Sequence, residues 1–167
     1  MKHFLLCLAY LAFLGILSHF VGEALPRRWF CSESRFFRSA DWENNGAFYD
    51  KLKIRVWKDK LPDMSRVMPD MMPKRLAGDA VPGDVRQLAV ETCVSESVHW
   101  GLILLGAACL FLWPGTGGAV ITLLYTFGNI PFIMIQRYNR PRLLKTAAIL
   151  EARRARAEAK AAEIGEV

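Results

Sequence analysis

Apolar positions gather into three long runs, set apart by one polar segment and one short turn. The first, FLLCLAYLAFLGILSHFV at 4–21, is long enough as a helix to cross a hydrocarbon core about 30 Å thick. The second, VHWGLILLGAACLFLW, and the third, AVITLLYTFGNIPFIMI, predict spans over about 98–114 and 118–136. PGTGG separates them, a cluster of helix breakers short enough to force an antiparallel hairpin. Lys2 before the first run also fits a signal peptide. Its apolar part is long for that and no A-x-A site follows, so an uncleaved span is expected.

Between the runs, residues 22–97 carry structure of their own. In AFYDKLKIRVWKDKL, Phe48, Tyr49, Leu52, Val56, Trp57 and Leu61 recur at helical spacing, with Lys51, Lys53, Arg55 and Lys58 on the other side. Aromatics opposite cations predict a helix lying in the membrane interface, started by Asp41 or Asn45 and ended by Pro62; a helix packed on a small soluble domain has the same pattern. Met64, Met68, Met71 and Met72 follow among prolines that forbid a long helix. They suit an acyl-chain groove or irregular core filler equally. PGDVRQLAVETCVSESVHW predicts a helix that begins near Asp84 and runs on into the second span. The Ala-rich, charged end of the chain predicts a solvated C-terminal helix within the tail 137–167.

Composition and charge narrow the class. The chain has 167 residues, 53% of them hydrophobic, and still carries a net charge of +6. That pairing fits one membrane domain, 1–167, with basic cytoplasmic parts. Cations crowd the tail after Ile135 and are absent from PGTGG, so the tail and the segment 22–97 are expected in the cytoplasm and the turn outside. Trp29 and Trp113 sit where interfacial anchors belong. Cys7, Cys31, Cys93 and Cys109 show no CxxC or Cys/His spacing, so neither a disulfide framework nor a metal site is expected. The membrane accounts for the positive charge, and no nucleic-acid module is visible.

Ionisable groups near a membrane are expensive and become functional candidates by default. Glu91, Thr92, Ser95, Glu96 and His99 share one side of the second helix. Glu96 and His99, three apart, are neighbours on that helix, where a carboxylate can orient an imidazole that takes a proton from a hydroxyl. The plain alternative is that His99 marks the interface and Glu96 is solvated. Thr122, Tyr125, Asn129, Gln136 and Arg140 form a stripe on the third helix, where Pro131 removes one donor and predicts a kink. Polar glue between helices explains Thr122 well and the dense QRYNRPR cluster less well. Arg137, Arg140 and Arg142 suit a lipid phosphate, a coenzyme pyrophosphate or an oxyanion, or serve only as the basic flank of a span.

Those residues carry a resemblance. NIPFIMIQRYNRPRL resembles the C-terminal signature of the glycosyl-4,4'-diaponeurosporenoate acyltransferase family, small membrane enzymes of the staphyloxanthin carotenoid pathway. ETCVSESVHW resembles its E-T-x(4)-E-x-x-H-W stretch, and GAFYDKLKIRVWKDKLPD a G-x-F-aromatic segment followed by a W-K-x-K block. Gly22 and Pro26, before Trp29 and Phe30, fit a G-x3-P element. The matching positions are Trp57, Lys58, Lys60, Glu91, Glu96, His99, Trp100, Asn129, Pro131, Gln136, Arg137, Tyr138, Asn139, Arg140, Pro141 and Arg142. The Met- and Pro-rich middle and the longer Ala/Arg tail depart from the family pattern and bear on the acceptor.

The expectation is an all-α integral membrane protein of the cell membrane, multi-pass, with three transmembrane helices, a cytoplasmic-side amphipathic interfacial helix and a charged C-terminal helix. The resemblance implies transfer of a fatty acyl group to a sugar hydroxyl of a glycosylated polyisoprenoid lipid. His99 and Glu96 are the catalytic candidates. Substrate binding is assigned to Arg137, Asn139, Arg140, Arg142, Gln136, Asn129, Trp57, Lys58, Lys60 and Glu91. The expected partners are membrane lipids, the glycolipid acceptor and an acyl donor used as co-substrate (acyl-coenzyme A, acyl carrier protein or phospholipid), with no bound cofactor. The alternative is a non-catalytic membrane subunit that binds a lipid or docks an enzyme.

Overall fold

The computed structural model describes residues 1–58 and 81–165, and among them every regular element is a helix. Lys60 and the four methionines at 64, 68, 71 and 72 lie outside the described residues. Among the described residues three helices are long and apolar enough to cross a membrane: α1 (Lys2–Ala24), a second stretch made of α4 (Pro82–Gly106) and α5 (Cys109–Leu112), and α6 (Thr116–Gly165). Two short helices, α2 (Ala47–Lys51) and α3 (Ile54–Trp57), lie between α1 and α4. The described residues form two compact units, residues 1–31 with 92–137 and residues 32–91 with 138–167.

In the first unit the contacts between helices fix their directions. His3 Nδ1 donates to the Leu112 carbonyl at 2.9 Å and Tyr10 Oη to the Leu105 carbonyl at 3.0 Å. Gly22 lies against Val98. As numbers rise along α1 they fall along the second stretch, so the two are antiparallel. Gly106 meets Tyr125, His99 meets Asn129 and Glu96 meets Arg137, so α6 is antiparallel to the second stretch as well. The hairpin expected from PGTGG is present, with Gly115 in the left-handed region at φ 98°. At its closed end Cys7, Cys109 and Ile121 form a core with Tyr10, Leu11, Leu112 and Trp113. Gly106 permits a close helix approach: a Cβ there would stand 2.5 Å from the Tyr125 ring.

Several boundaries differ from expectation. The second span is interrupted at Ala107 and Ala108: the Ala107 amide is shared between the Ile103 and Leu104 carbonyls, and the Ala108 amide bonds back only three residues, to Leu105. The charged C-terminal helix is no separate element: α6 continues from the apolar run to Gly165, and neither Pro131 nor Pro141 ends it. A proline within a helix loses one donor, a deficit that neighbouring helices can absorb in an apolar setting. The single amphipathic helix expected from residue 47 is broken, because Lys53 adopts φ 52° between α2 and α3. Along this segment Tyr49 and Ile54 are buried, while Leu52 and Val56 are exposed. Neither Asp41 nor Asn45 caps it. Asp41–Gly46 is itself a 3-10 turn, and Gly46 precedes α2.

Candidate active site

In the first unit the polar side of α4 meets the polar stripe of α6. Glu96 is buried and accepts a hydrogen bond from Arg137 Nη1 at 2.9 Å. One turn further along α4, His99 Nδ1 lies 2.8 Å from Asn129 Oδ1, and the other end of that amide, Nδ2, donates to the Tyr125 carbonyl at 2.8 Å. The His99 ring stacks on Phe132, with centroids 4.8 Å apart and planes within 9°. Asn129 and Gln136 are buried on the same helix. Sequence spacing paired Glu96 with His99; the geometry adds that Glu96 grips Arg137 and that Asn129 and Phe132 hold the imidazole. Phe132 was missed because it falls within an apolar run, where one aromatic side chain carries no distinguishing signal.

This group has the parts for acyl transfer. An imidazole with a fixed plane can accept a proton from a hydroxyl. A guanidinium in a poorly hydrated setting can stabilise an anion that develops on an acyl carbonyl. The carboxylate of Glu96 keeps the guanidinium's charge compensated, without which burying it would be costly.

The other predicted residues belong to the second unit. Arg140 is 2% exposed; its Nη1 donates to the Phe37 carbonyl at 2.7 Å and its guanidinium lies 5.1 Å from the Phe37 ring centroid. Arg142 lies over the Tyr138 ring at 3.6 Å, donates to the Tyr138 carbonyl at 2.7 Å and to Asp50 Oδ2 at 2.8 Å. Lys58 Nζ reaches Asn139 Oδ1 at 3.2 Å and lies 5.4 Å from the same Tyr138 ring. Trp57 donates to the Leu52 carbonyl at 3.0 Å, and Glu91 is half-buried.

The turn before α2 explains how this cluster is built. Asn44 and Asn45 take φ 46° and 51°, a region that asparagine tolerates better than most residues, and Gly46 follows at φ 87°. A Cβ on Gly46 would stand 2.7 Å from Arg142 Nη1 and 3.3 Å from the Tyr138 carbonyl oxygen, so only glycine lets the backbone lie this close to α6. Glu43, buried ahead of the turn, accepts from the Ala40 amide at 2.6 Å and from the Tyr49 hydroxyl. Sequence reading did not single out Glu43; a carboxylate in DWENNG looks like a solvated loop residue.

A family model described as glycosyl-4,4'-diaponeurosporenoate acyltransferase matches residues 33–149. The chain belongs to this acyltransferase family. Two relatives named glycosyl-4,4'-diaponeurosporenoate acyltransferase, from Staphylococcus aureus strains N315 and USA300, are each 29% identical over 135 residues, covering 80% of this chain and 81% of the relative. No solved structure matches the chain. The matched region contains both polar clusters, along with Gly46 and Glu43. The QRYNRPR run divides its work: Gln136 and Arg137 belong to the first unit, Tyr138 through Arg142 to the second.

Proposed function

We propose that the protein esterifies a sugar hydroxyl of a glycosylated, carotenoid-like lipid with a fatty acyl group at the cytoplasmic face of the cell membrane, with His99 as general base. Family membership supports the reaction class. The observation that carries the residue assignment is the His99 ring, held by Asn129 at 2.8 Å and stacked on Phe132.

His99 Nε2 takes the proton of the sugar hydroxyl as its oxygen attacks the acyl carbonyl carbon. The carbonyl π electrons move onto oxygen, and Arg137 stabilises that oxyanion. The tetrahedral intermediate collapses, breaking the bond to the donor's leaving group, a thiolate or an alkoxide. The proton on His99 passes to that group and the base is restored. Glu96 keeps Arg137 in place. Within the second unit, Arg140 and Arg142 hold the segments that carry Lys58 and Asn139. The donor is a co-substrate: acyl-coenzyme A, acyl carrier protein or phospholipid. Exposed Trp42 and Val56, near the cations Lys51, Lys53 and Arg55 in sequence, fit a membrane interface, where aromatic and basic groups are both at home.

The test uses full-length protein in nanodiscs, glycosylated diaponeurosporenoate as acceptor and each donor class in turn, with mass spectrometry of the lipid product. An ester on the sugar with at least one donor supports the reading. No ester with any of the three overturns it.

A further inference from the structure

We propose that Asn129 is a positioning residue rather than a substrate contact: it fixes His99 in the neutral tautomer that carries its proton on Nδ1 and its lone pair on Nε2. The inference deepens the reading of His99 as the base and rests on it for its catalytic meaning.

The argument is a chain of donor and acceptor constraints. A main-chain carbonyl oxygen can only accept, so the end of the Asn129 amide that lies 2.8 Å from the Tyr125 carbonyl must be the Nδ2 amine. The other end, Oδ1, then faces His99 Nδ1 at 2.8 Å. That oxygen has no hydrogen to give, so Nδ1 must supply it. A neutral imidazole has one N–H, which leaves the lone pair on Nε2. Turning the amide over would set two acceptors against each other at the Tyr125 carbonyl, which excludes that orientation. The tautomer is thus written into the backbone of α6 through one side chain. Phe132, three residues further on, holds the ring plane by stacking at 4.8 Å and 9°, so the direction of the Nε2 lone pair is fixed as well as its location. Asn129 is 7% exposed, as expected of a residue that acts on a neighbour.

The test reads the tautomer directly, by NMR of full-length protein labelled with 15N in its histidines and embedded in nanodiscs. His3, His19 and His99 give the imidazole signals, and His99→Gln identifies the third by its loss. The wild type shows the proton on Nδ1 of His99. Asn129→Leu, which removes the acceptor, moves the proton wholly or partly to Nε2. Asn129→Asp keeps an acceptor in place and keeps the proton on Nδ1. Loss of such an orienting partner lowers turnover by about 10–100-fold at metal-bound histidines, and a drop of that order in kcat is expected for Asn129→Leu, with a smaller one for Asn129→Asp. A wild type with the proton on Nε2, or an Asn129→Leu tautomer identical to the wild type, overturns the proposal. If Asn129→Leu does not fold, the wild-type and Asn129→Asp spectra still decide. If the tautomer follows Asn129 while His99→Gln keeps full turnover, the positioning stands and the assignment of His99 as base fails.

Discussion

Breaking the Glu96–Arg137 pair from one side costs at least as much as removing it whole. Glu96 has 1% of its side chain exposed and Arg137 17%, with 2.9 Å between Nη1 and Oε1. Deleting one partner of a buried pair leaves a desolvated charge and costs about 3–5 kcal/mol. Arg137 keeps some exposure and a long arm that can turn its head toward water, which puts Glu96→Leu near the low end, about 3 kcal/mol. Arg137→Leu leaves the more enclosed member behind and belongs at or above that figure. The double variant strands neither charge and is expected to lose no more than either single one, which gives a coupling of about 3 kcal/mol or more, at the upper end of the range seen for residues in contact. The assay is reversible SDS unfolding in mixed micelles, followed by circular dichroism, over the four proteins of the cycle. Additive single effects, with a coupling under about 0.5 kcal/mol, would refute the claim that this contact joins α4 to α6. Acyl-transfer activity separates structure from chemistry: the double variant is at least as stable as either single one and is inactive, because the charge that steadies the oxyanion is gone.

Two further outcomes test the second unit. Gly46→Ala forces a Cβ into the left-handed region, at about 1–2 kcal/mol, and pushes Arg142 from the Tyr138 carbonyl, adding about 1 kcal/mol; the same unfolding assay should show a loss of about 2–3 kcal/mol, and a neutral result contradicts the packing described. Tyr49→Phe takes a donor from buried Glu43 and should destabilise by about 1–3 kcal/mol, whereas an unchanged midpoint would mean that this hydroxyl does not hold the carboxylate.

Much of the first unit could be read from the residues because apolar run length and PGTGG are strong, local signals. The helix entering the second span was visible for the same reason, with Asp84 near its start and a polar side that ends at His99. The second unit was harder. A helical period from Phe48 to Leu61 takes no account of a backbone angle, and the left-handed Lys53 breaks the period without any glycine or proline to announce it. Asn44–Asn45–Gly46 did contain a turn signal, but its purpose, close approach to α6 at Arg142, depends on contact with residues almost a hundred positions away. At the site, spacing on one helix made neighbours of Glu96 and His99. The partners that matter to each, Arg137 for one and Asn129 with Phe132 for the other, come from a second helix. The arginine run looked like one binding cluster, whereas Arg140 is committed to the Phe37 carbonyl and Arg142 to Tyr138 and Asp50.

The most direct test is the turnover of His99→Ala against the wild type in nanodiscs, under saturating donor and glycosylated acceptor, with unfolding midpoints measured alongside. Loss of a general base lowers rate by about 10²–10⁴-fold, and a fall of that size in a variant that remains folded under the assay conditions is the expected result. A His99→Ala protein that forms the sugar ester at the wild-type rate contradicts the account at its centre.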